Sequence, residues 1–467
     1  MRLAVIGAGP GGYAAAFHAA DLGMQVTLID AEPNPGGVCT FKGCIPSKAL
    51  LHAAKVLDEA RHADAFGVSF GKPAIDVAKL RSWKDGVVKK QTGGLGLLAK
   101  ARKVTFLQGR ASIVDGKTLS VDTGKEQQRV EADYLIIATG SRPTTVPGIS
   151  IDSPRVLDST TALELPDVPN RLLVVGGGYI GLELGTVYAA LGSKVTVVEM
   201  TDGLLPGADR DLAAVVAKRM ETTCEAILLE TRVTGVSDDQ TGLAVTFDGR
   251  NAPKGAQNFD RVLVAVGRRP NSAVPGLDKT TVKVNQRGFI EVDGQRRTAE
   301  PSIFAIGDVA GDPMLAHKAS HEARVAVEAI HGRFSVFEPR AIPAVVFTDP
   351  ELAWTGLTEA EAKQQNRTVA VAKFPWAASG RATTLDRPDG FTKLIIDPET
   401  ERILGVGIVG SGAGELIGEG TLAIEMGALA ADLKLTIHPH PTLSETVMEA
   451  ADVFFGESPH VYKPKKA

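Results

Sequence analysis

Leu3-Ala-Val-Ile6 runs straight into Gly7-Ala-Gly9-Pro-Gly11-Gly12, and a second apolar run, Val26 to Ile29, ends on Asp30. Leu3 to Ile6 is short and apolar throughout, as a buried strand is. From Tyr13 to about Leu22 the chain is alanine-rich and reads as a helix. Strand, glycine turn, helix, strand and terminal acid together form a βαβ unit with a dinucleotide-binding fingerprint. Glycines in a turn are weak evidence alone. Their placement between strand and helix, with an acid 23 residues after Gly7, makes the signal specific.

The same pattern occurs again. Leu172 to Val175 is a strand, Gly176-Gly177-Gly178-Tyr179-Ile180-Gly181 is the turn, and Val195 to Val198 ends on Glu199. Gly7 to Gly176 and Asp30 to Glu199 are both offsets of 169 residues. A second echo follows each unit. Leu135-Ile-Ile-Ala-Thr139-Gly140-Ser141-Arg-Pro143 matches Val262-Leu-Val-Ala-Val266-Gly267-Arg-Arg-Pro270 at an offset of 127 residues. Both copies keep the glycines and the acid, which favours two working dinucleotide sites. Pro301 to Asp308 reads as one more strand ending on Gly307-Asp308. Beyond Ala341 the glycine fingerprints stop. Apolar runs at Ala344 to Phe347 and Phe391 to Ile396, then helical patterns at Gly414 to Leu429 and Leu443 to Phe454, point to a separate α+β unit. The expected fold is α/β, with two Rossmann-like dinucleotide-binding domains and an α+β C-terminal domain.

Composition narrows the function classes. With 467 residues, several domains are needed. A net charge of −4 and 23% charged residues ask for neither nucleic acid nor a membrane surface. The basic tail from Lys463 to Lys466 reads as a solvated terminus. Glycine is enriched, 50 residues or about 11% against a usual 7% or so, in short apolar contexts that suit close approach of backbone to ligand. No charged-then-apolar leader precedes Leu3, so a reducing cytoplasm is the expected compartment. There a cysteine pair is more often catalytic than structural.

The helix after Gly12 offers unpaired amides and a partial positive charge to a pyrophosphate. Asp30 suits a ribose diol. Glu199 does too, and its charge repels a 2′-phosphate. The stretch Glu199 to Gly203 holds no Arg or Lys to bind one, so the second site should prefer NAD over NADP. Cys39 and Cys44 lie in Gly36-Gly-Val-Cys39-Thr-Phe-Lys42-Gly-Cys44-Ile-Pro46-Ser-Lys48-Ala-Leu-Leu51, where a helix begins close to Cys44. A thiol there has a lowered pKa. Spacing alone leaves open whether the two are reactive or small buried hydrophobes.

That segment resembles the redox-disulfide motif of the pyridine nucleotide-disulfide oxidoreductases, and within them the dihydrolipoyl dehydrogenases. The resemblance spans essentially the whole chain, through Ala138 to Ser141, Gly176 to Glu183, Gly307-Asp308, Met314 to His317, Phe347 to Glu351 and His440-Pro-Thr-Leu-Ser-Glu445. It implies FAD in the first unit, with Gly7, Gly9 and Gly12 at the pyrophosphate, Asp30 at the adenosine ribose and Asp308 at the ribityl chain. Met314, Leu315, Ala316 and His317 would lie under the pyrimidine end of the flavin. Ala111, Thr139, Gly140 and Ser141 would complete that site. NAD would bind the second unit through Gly176, Gly178, Tyr179, Ile180, Gly181, Glu199, Val233 and Gly267, with Glu183 near the nicotinamide and Lys48 beside the flavin, paired with Glu183.

By the same resemblance Cys39 exchanges electrons with a dithiol and Cys44 faces the flavin as the charge-transfer thiolate. His440, oriented by Glu445, is the general base and reaches the disulfide of the other subunit, which implies a homodimer. Taken without its neighbours, the His438-Pro-His440 stretch reads instead as a loop or a metal-ligand pair. The implied reaction oxidises protein-bound dihydrolipoamide through a Cys39–Cys44 disulfide and FAD and reduces NAD. The implied partner is the lipoyl-bearing acyltransferase of a 2-oxo acid dehydrogenase complex. The implied division is 1–147 for FAD, 148–272 for NAD, 273–341 completing the FAD part and 342–467 for dimerisation. The chain departs from the pattern at Val38, a usual Thr, at Thr40-Phe41-Lys42, usually more apolar, and at Asp349, often His or Asn. Lys42 is a charge that could lower a thiol pKa.

Overall fold

A computed structural model describes residues 1–239 and 242–462, so the Lys463 to Lys466 tail lies outside the described residues. The first apolar runs form parallel strands, Arg2–Ile6 beside Gln25–Asp30, joined by the helix Pro10–Asp21. Thr105–Gln108 extends that sheet on one side, and Tyr134–Ile137 then Ile303–Ala305 on the other. The second unit repeats the order: Ala226–Leu228, Lys194–Val198, Arg171–Val175, Arg261–Val264 and Val156–Leu157, all parallel. Each unit also carries a three-stranded antiparallel sheet, one within 110–131 and one within 231–259. The internal repeat in the sequence is therefore a repeated topology.

The two echo motifs meet. Ser141–Pro143 pairs antiparallel with Arg268–Pro270, so the chain leaves the first unit and re-enters it through one two-stranded ribbon. Beyond it, five antiparallel strands are arranged as 344–346, 351–356, 403–410, 391–396 and 370–375. The helices Ala413–Met426 and Glu445–Phe455 share a core with this sheet, through Ile417, Ile424, Val447 and Ala450 packed with Ile408 and Leu394. Among the described residues no helix is long and apolar enough to cross a membrane.

One apolar core crosses all three parts. Leu50 and Leu51, on the helix Cys44–His62, are buried with Leu182 and Leu184 of the second unit and with Val346 and Val409 of the C-terminal sheet. A charged staple reinforces the junction. The fully buried Lys393 Nζ donates to Asp209 at 2.7 Å, Asp211 at 2.9 Å and Glu359 at 2.8 Å. Asp209 also accepts from the Glu359 and Ala360 amides, capping a C-terminal helix from the second unit. These three carboxylates are the one metal-like cluster of His, Cys, Asp and Glu among the described residues, and the lysine already sits in it. Removing one partner of a buried charge network is costly. Lys393→Ala is expected to destabilise the chain by about 3 kcal/mol, read as a drop in the urea midpoint, and an unchanged midpoint would refute the staple.

Candidate active site

A cavity of about 460 Å³ opens where the first glycine turn meets the cysteine segment, the turn at 307–308 and the helix Tyr179–Leu191. Gly7 and Gly9 form one wall. Gly12 does not line it but allows it: a Cβ there would come within 1.8 Å of the Gly7 carbonyl oxygen. Gly181 meets Gly176 in the same way at 2.3 Å. Neither helix that follows a turn has a side-chain cap, so their first amides stay available to an anion. The terminal acids are bonded alike. Asp30 accepts from the Ala8 amide at 2.6 Å and the Glu32 amide at 2.9 Å, and Glu199 from Gly177 at 2.7 Å and Thr201 at 2.9 Å. Both Asp30 oxygens and Glu199 Oε2 keep a lone pair for a hydroxyl, whereas Glu199 Oε1 also accepts from the Thr201 hydroxyl at 2.9 Å.

Cys39, Cys44, Lys48, Asp30, Thr139, Gly140, Ser141, Tyr179, Ile180, Glu183, Asp308, Met314 and Ala316 all border this one cavity. Ala111, Leu315 and His317 do not. Arg110 rather than Ala111 faces it, and His317 gives its Nε2 to the Pro343 carbonyl at 2.8 Å. Gly176, Gly178, Glu199, Val233 and Gly267 lie outside it too, with Val233 buried in the core beside Val198. Sequence reading overlooked Arg268 and Asn271, which do border it. Arg268 donates to the Ser141 hydroxyl at 2.7 Å, and that hydroxyl donates to Asp308 at 2.5 Å. The Gly267 echo was the available signal, but only its pairing with 141–143 turns Arg268 inward.

The donor set fits a flavin dinucleotide: uncapped helix amides for a pyrophosphate, and Asp30 and Asp308 as separate acceptors for hydroxyls.

Cys39 and Cys44 are free thiols, linked by a hydrogen bond. Cys44 starts the helix Cys44–His62 and is exposed toward the cavity. That bond, donated by Cys39, lowers the Cys44 pKa to about 7, with Lys48 assisting against burial and Glu183. The same bond drives the Cys39 pKa well above an ordinary thiol's. Lys42 is not the cation responsible: it pairs with Glu32 at 2.5 Å. Lys48 instead donates to Glu183 at 2.8 Å, and Glu183, only 4% exposed, also accepts from the Phe347 amide at 3.0 Å.

His440 and Glu445 stand apart from this cavity. His440 Nδ1 lies 2.9 Å from Glu445, and its side chain is 76% exposed. Burial opposes it, but hydrogen bonds from the Thr442 amide and His440 hold the Glu445 carboxyl below its usual pKa. A carboxylate only accepts, so Nδ1 carries the proton and Nε2 points outward as a base. Both ring nitrogens of His438 are engaged, Nδ1 with the Thr436 carbonyl at 2.9 Å and Nε2 with Glu419 at 2.7 Å. Asp349 pairs with Arg387.

In the reduced, flavin-free protein, alkylation of Cys44 should rise with pH around an apparent pKa of about 7. In Cys39→Ala that midpoint should move up toward an ordinary thiol, because the largest stabilising contact is gone. Equal midpoints in both proteins would contradict this account.

Comparison with known proteins agrees with this geometry. Residues 1–323 match the pyridine nucleotide-disulphide oxidoreductase family model, and 342–451 match the dimerisation domain of the same family. A dihydrolipoyl dehydrogenase from Vibrio cholerae is 50% identical over 455 residues, covering 97% of this chain and 96% of that one. One from Haemophilus influenzae is 51% identical, covering 97% and 95%. Among solved structures, LpdA from Mycobacterium tuberculosis superposes with a TM-score of 0.90 at 28% identity, covering 97% of this chain and 99% of that one. The disulfide reductase RclA from Escherichia coli gives 0.85 at 28%, covering 97% and 99%. The paired thiols, the doubled dinucleotide unit and these likenesses agree, and the chain belongs to the pyridine nucleotide-disulphide oxidoreductases, enzymes that work with FAD and NAD.

Proposed function

We propose that this chain oxidises dihydrolipoamide and reduces NAD, the dihydrolipoyl dehydrogenase reaction, as a homodimer. The observation that carries the reading is the Cys39–Cys44 pair, which borders the cavity beside the Lys48–Glu183 ion pair, with the Cys44 pKa lowered and that of Cys39 raised. The names of the relatives point the same way.

With the pair oxidised, a substrate thiolate attacks Cys39 Sγ, and Cys44 leaves as the thiolate. A leaving thiol with a pKa near 7 departs readily. The second substrate thiol attacks the mixed disulfide, releasing the cyclic disulfide product and the Cys39 thiol. The partner subunit's His440 takes the proton from the incoming thiol and returns one to Cys39. Lys48 stabilises the Cys44 thiolate, and Glu183 keeps Lys48 in place. FAD, when bound, relays the electron pair from the thiols to NAD.

A base supplied across the dimer fits an imidazole that is 76% exposed and outside its own cavity. It fits equally the exposed apolar residues on the elements leading to it: Leu422, Met426, Leu435 and Ile437. The strand Ile303–Ala305, in the first sheet, supports grouping 273–341 with 1–147 as the FAD part, 148–272 as the NAD part and 342–467 as the dimerising part. NAD is favoured over NADP because Glu199 is a carboxylate, and because the nearby Arg210 is spent on the Leu204, Leu205 and Ala208 carbonyls. The proposed macromolecular partner is the lipoyl-bearing acyltransferase of a 2-oxo acid dehydrogenase complex.

Purified protein should form NADH rapidly from dihydrolipoamide and NAD, and slowly or not at all with NADP or reduced glutathione. A preference for NADP would move the function to another disulfide reductase. Cys39→Ser and Cys44→Ser should each abolish turnover while flavin stays bound. His440→Gln should lower kcat by about 10²–10⁴. Co-expressing His440→Gln with Cys39→Ser should restore turnover that neither shows alone, since one site in each mixed dimer is then intact. No restoration would rule out a base acting across the dimer.

A further inference from the structure

The turn Gly307–Val309 and the residues after it carry Asp308 and Met314 to the cavity wall. Side chains bond three backbone groups of this turn, although the Gly307 carbonyl also accepts from the Ala310 amide at 3.0 Å. Glu322 accepts from the Gly307 amide at 2.6 Å. Lys318 Nζ donates to the Gly307 carbonyl at 3.2 Å and the Gly311 carbonyl at 2.7 Å. Lys318 and Glu322 lie one turn apart on the helix Ala316–Ile330, 3.3 Å from each other, each 1% exposed. Arg296 completes the group, donating to Glu322 at 3.0 Å.

Such a pair needs a reason. Taking two charges out of water costs several kcal/mol per ion, and apolar side chains of similar size often serve stability as well or better. What a charge does better is hold a backbone group, because charge-assisted hydrogen bonds are roughly twice as strong as neutral ones. Here three such bonds grip the turn at Gly307 and Gly311, on either side of Asp308. Gly307 has a φ of +74°, and the turn also needs the close approach of Ala319, which a Cβ at Gly307 would meet at 3.1 Å. Ser141, from another part of the chain, donates to the Asp308 carboxylate at 2.5 Å. The carboxylate is thus bonded by Ser141, and the turn that carries it is bonded by Lys318 and Glu322, groups that do not belong to that turn.

We infer that Lys318 and Glu322 are positioning residues for the bound flavin, setting the 307–311 turn so that Asp308 is presented to the hydroxyls of its polyol chain. This rests on the reading of the cavity as the FAD site. Neither residue borders the cavity, so both act through Asp308.

FAD-stripped protein is titrated with FAD, following flavin fluorescence, for the parent, for Lys318→Met/Glu322→Gln, for Asp308→Asn and for the three changes combined. The paired variant is neutral, close in shape, and keeps an oxygen for the Gly307 amide. Its Kd for FAD is expected to rise about tenfold, whereas the same pair added to Asp308→Asn should cost less than about threefold more, as coupled sites do. Unchanged affinity in the paired variant, or equal costs on both backgrounds, overturns the inference. Glu322→Gln alone gives the same comparison if the paired variant does not fold. A parent that binds no FAD at all overturns the FAD reading itself.

Discussion

Glu183 is a carboxylate sealed inside the molecule, and its two partners come from two other parts of the chain. Lys48 arrives on the cysteine helix, and the Phe347 amide comes from the edge of the C-terminal sheet. The same Lys48 ammonium sits 4.4 Å from the centre of the Phe347 ring. A buried charge left alone would cost several kcal/mol, so the three parts are held to one arrangement in which it is paired. That arrangement puts Cys44, the first glycine turn and the N-terminus of the second dinucleotide helix around one cavity. The apolar core through Leu50, Leu182 and Val346 supplies most of the cohesion at this junction. The ion pair supplies the register.

The doubled unit shows how one design serves two ligands. Both turns make the same backbone contacts and the same pair of amide-to-carboxylate bonds. Their surroundings differ. The first turn shares a half-open cavity with the cysteine segment and the 307–308 turn. Gly176 and Gly178 lie outside that cavity, with Met200, beside Glu199, 71% exposed. In the proposed reaction a cofactor that stays in the first unit and a co-substrate that leaves the second on every cycle suit this difference. Tyr179, Ile180 and Glu183, at the start of the second helix, are the link between the two environments.

Acid–base chemistry is also divided between two places. Within the cavity the contact with Cys39, helped by Lys48, lowers the Cys44 pKa to about 7 without a histidine beside it. His440, the base in the proposed reaction, is exposed on the part that matches a dimerisation domain, with its Nδ1 fixed by Glu445. In the proposed mechanism, separating the redox pair from its base makes assembly of the site depend on assembly of the dimer.

By itself the sequence determined the elements whose causes are local. Strands 2–6 and 171–175 follow from apolar runs, the turns from glycines that steric contact demands, the paired acids from their 23-residue spacing, and the helix at Cys44 from Pro46 and its apolar face. The Lys48–Glu183 pair was legible only through family resemblance. Tertiary structure alone decided that Arg268 reaches Ser141, that Lys42 turns to Glu32 and leaves the thiol to Lys48, that Lys393 binds two parts together, and that Lys318 and Glu322 brace Asp308. The physical reason is range. A strand or a turn is settled by neighbours a few residues away, whereas the partner of a long charged side chain depends on which distant backbone is packed within about 3 Å of its tip.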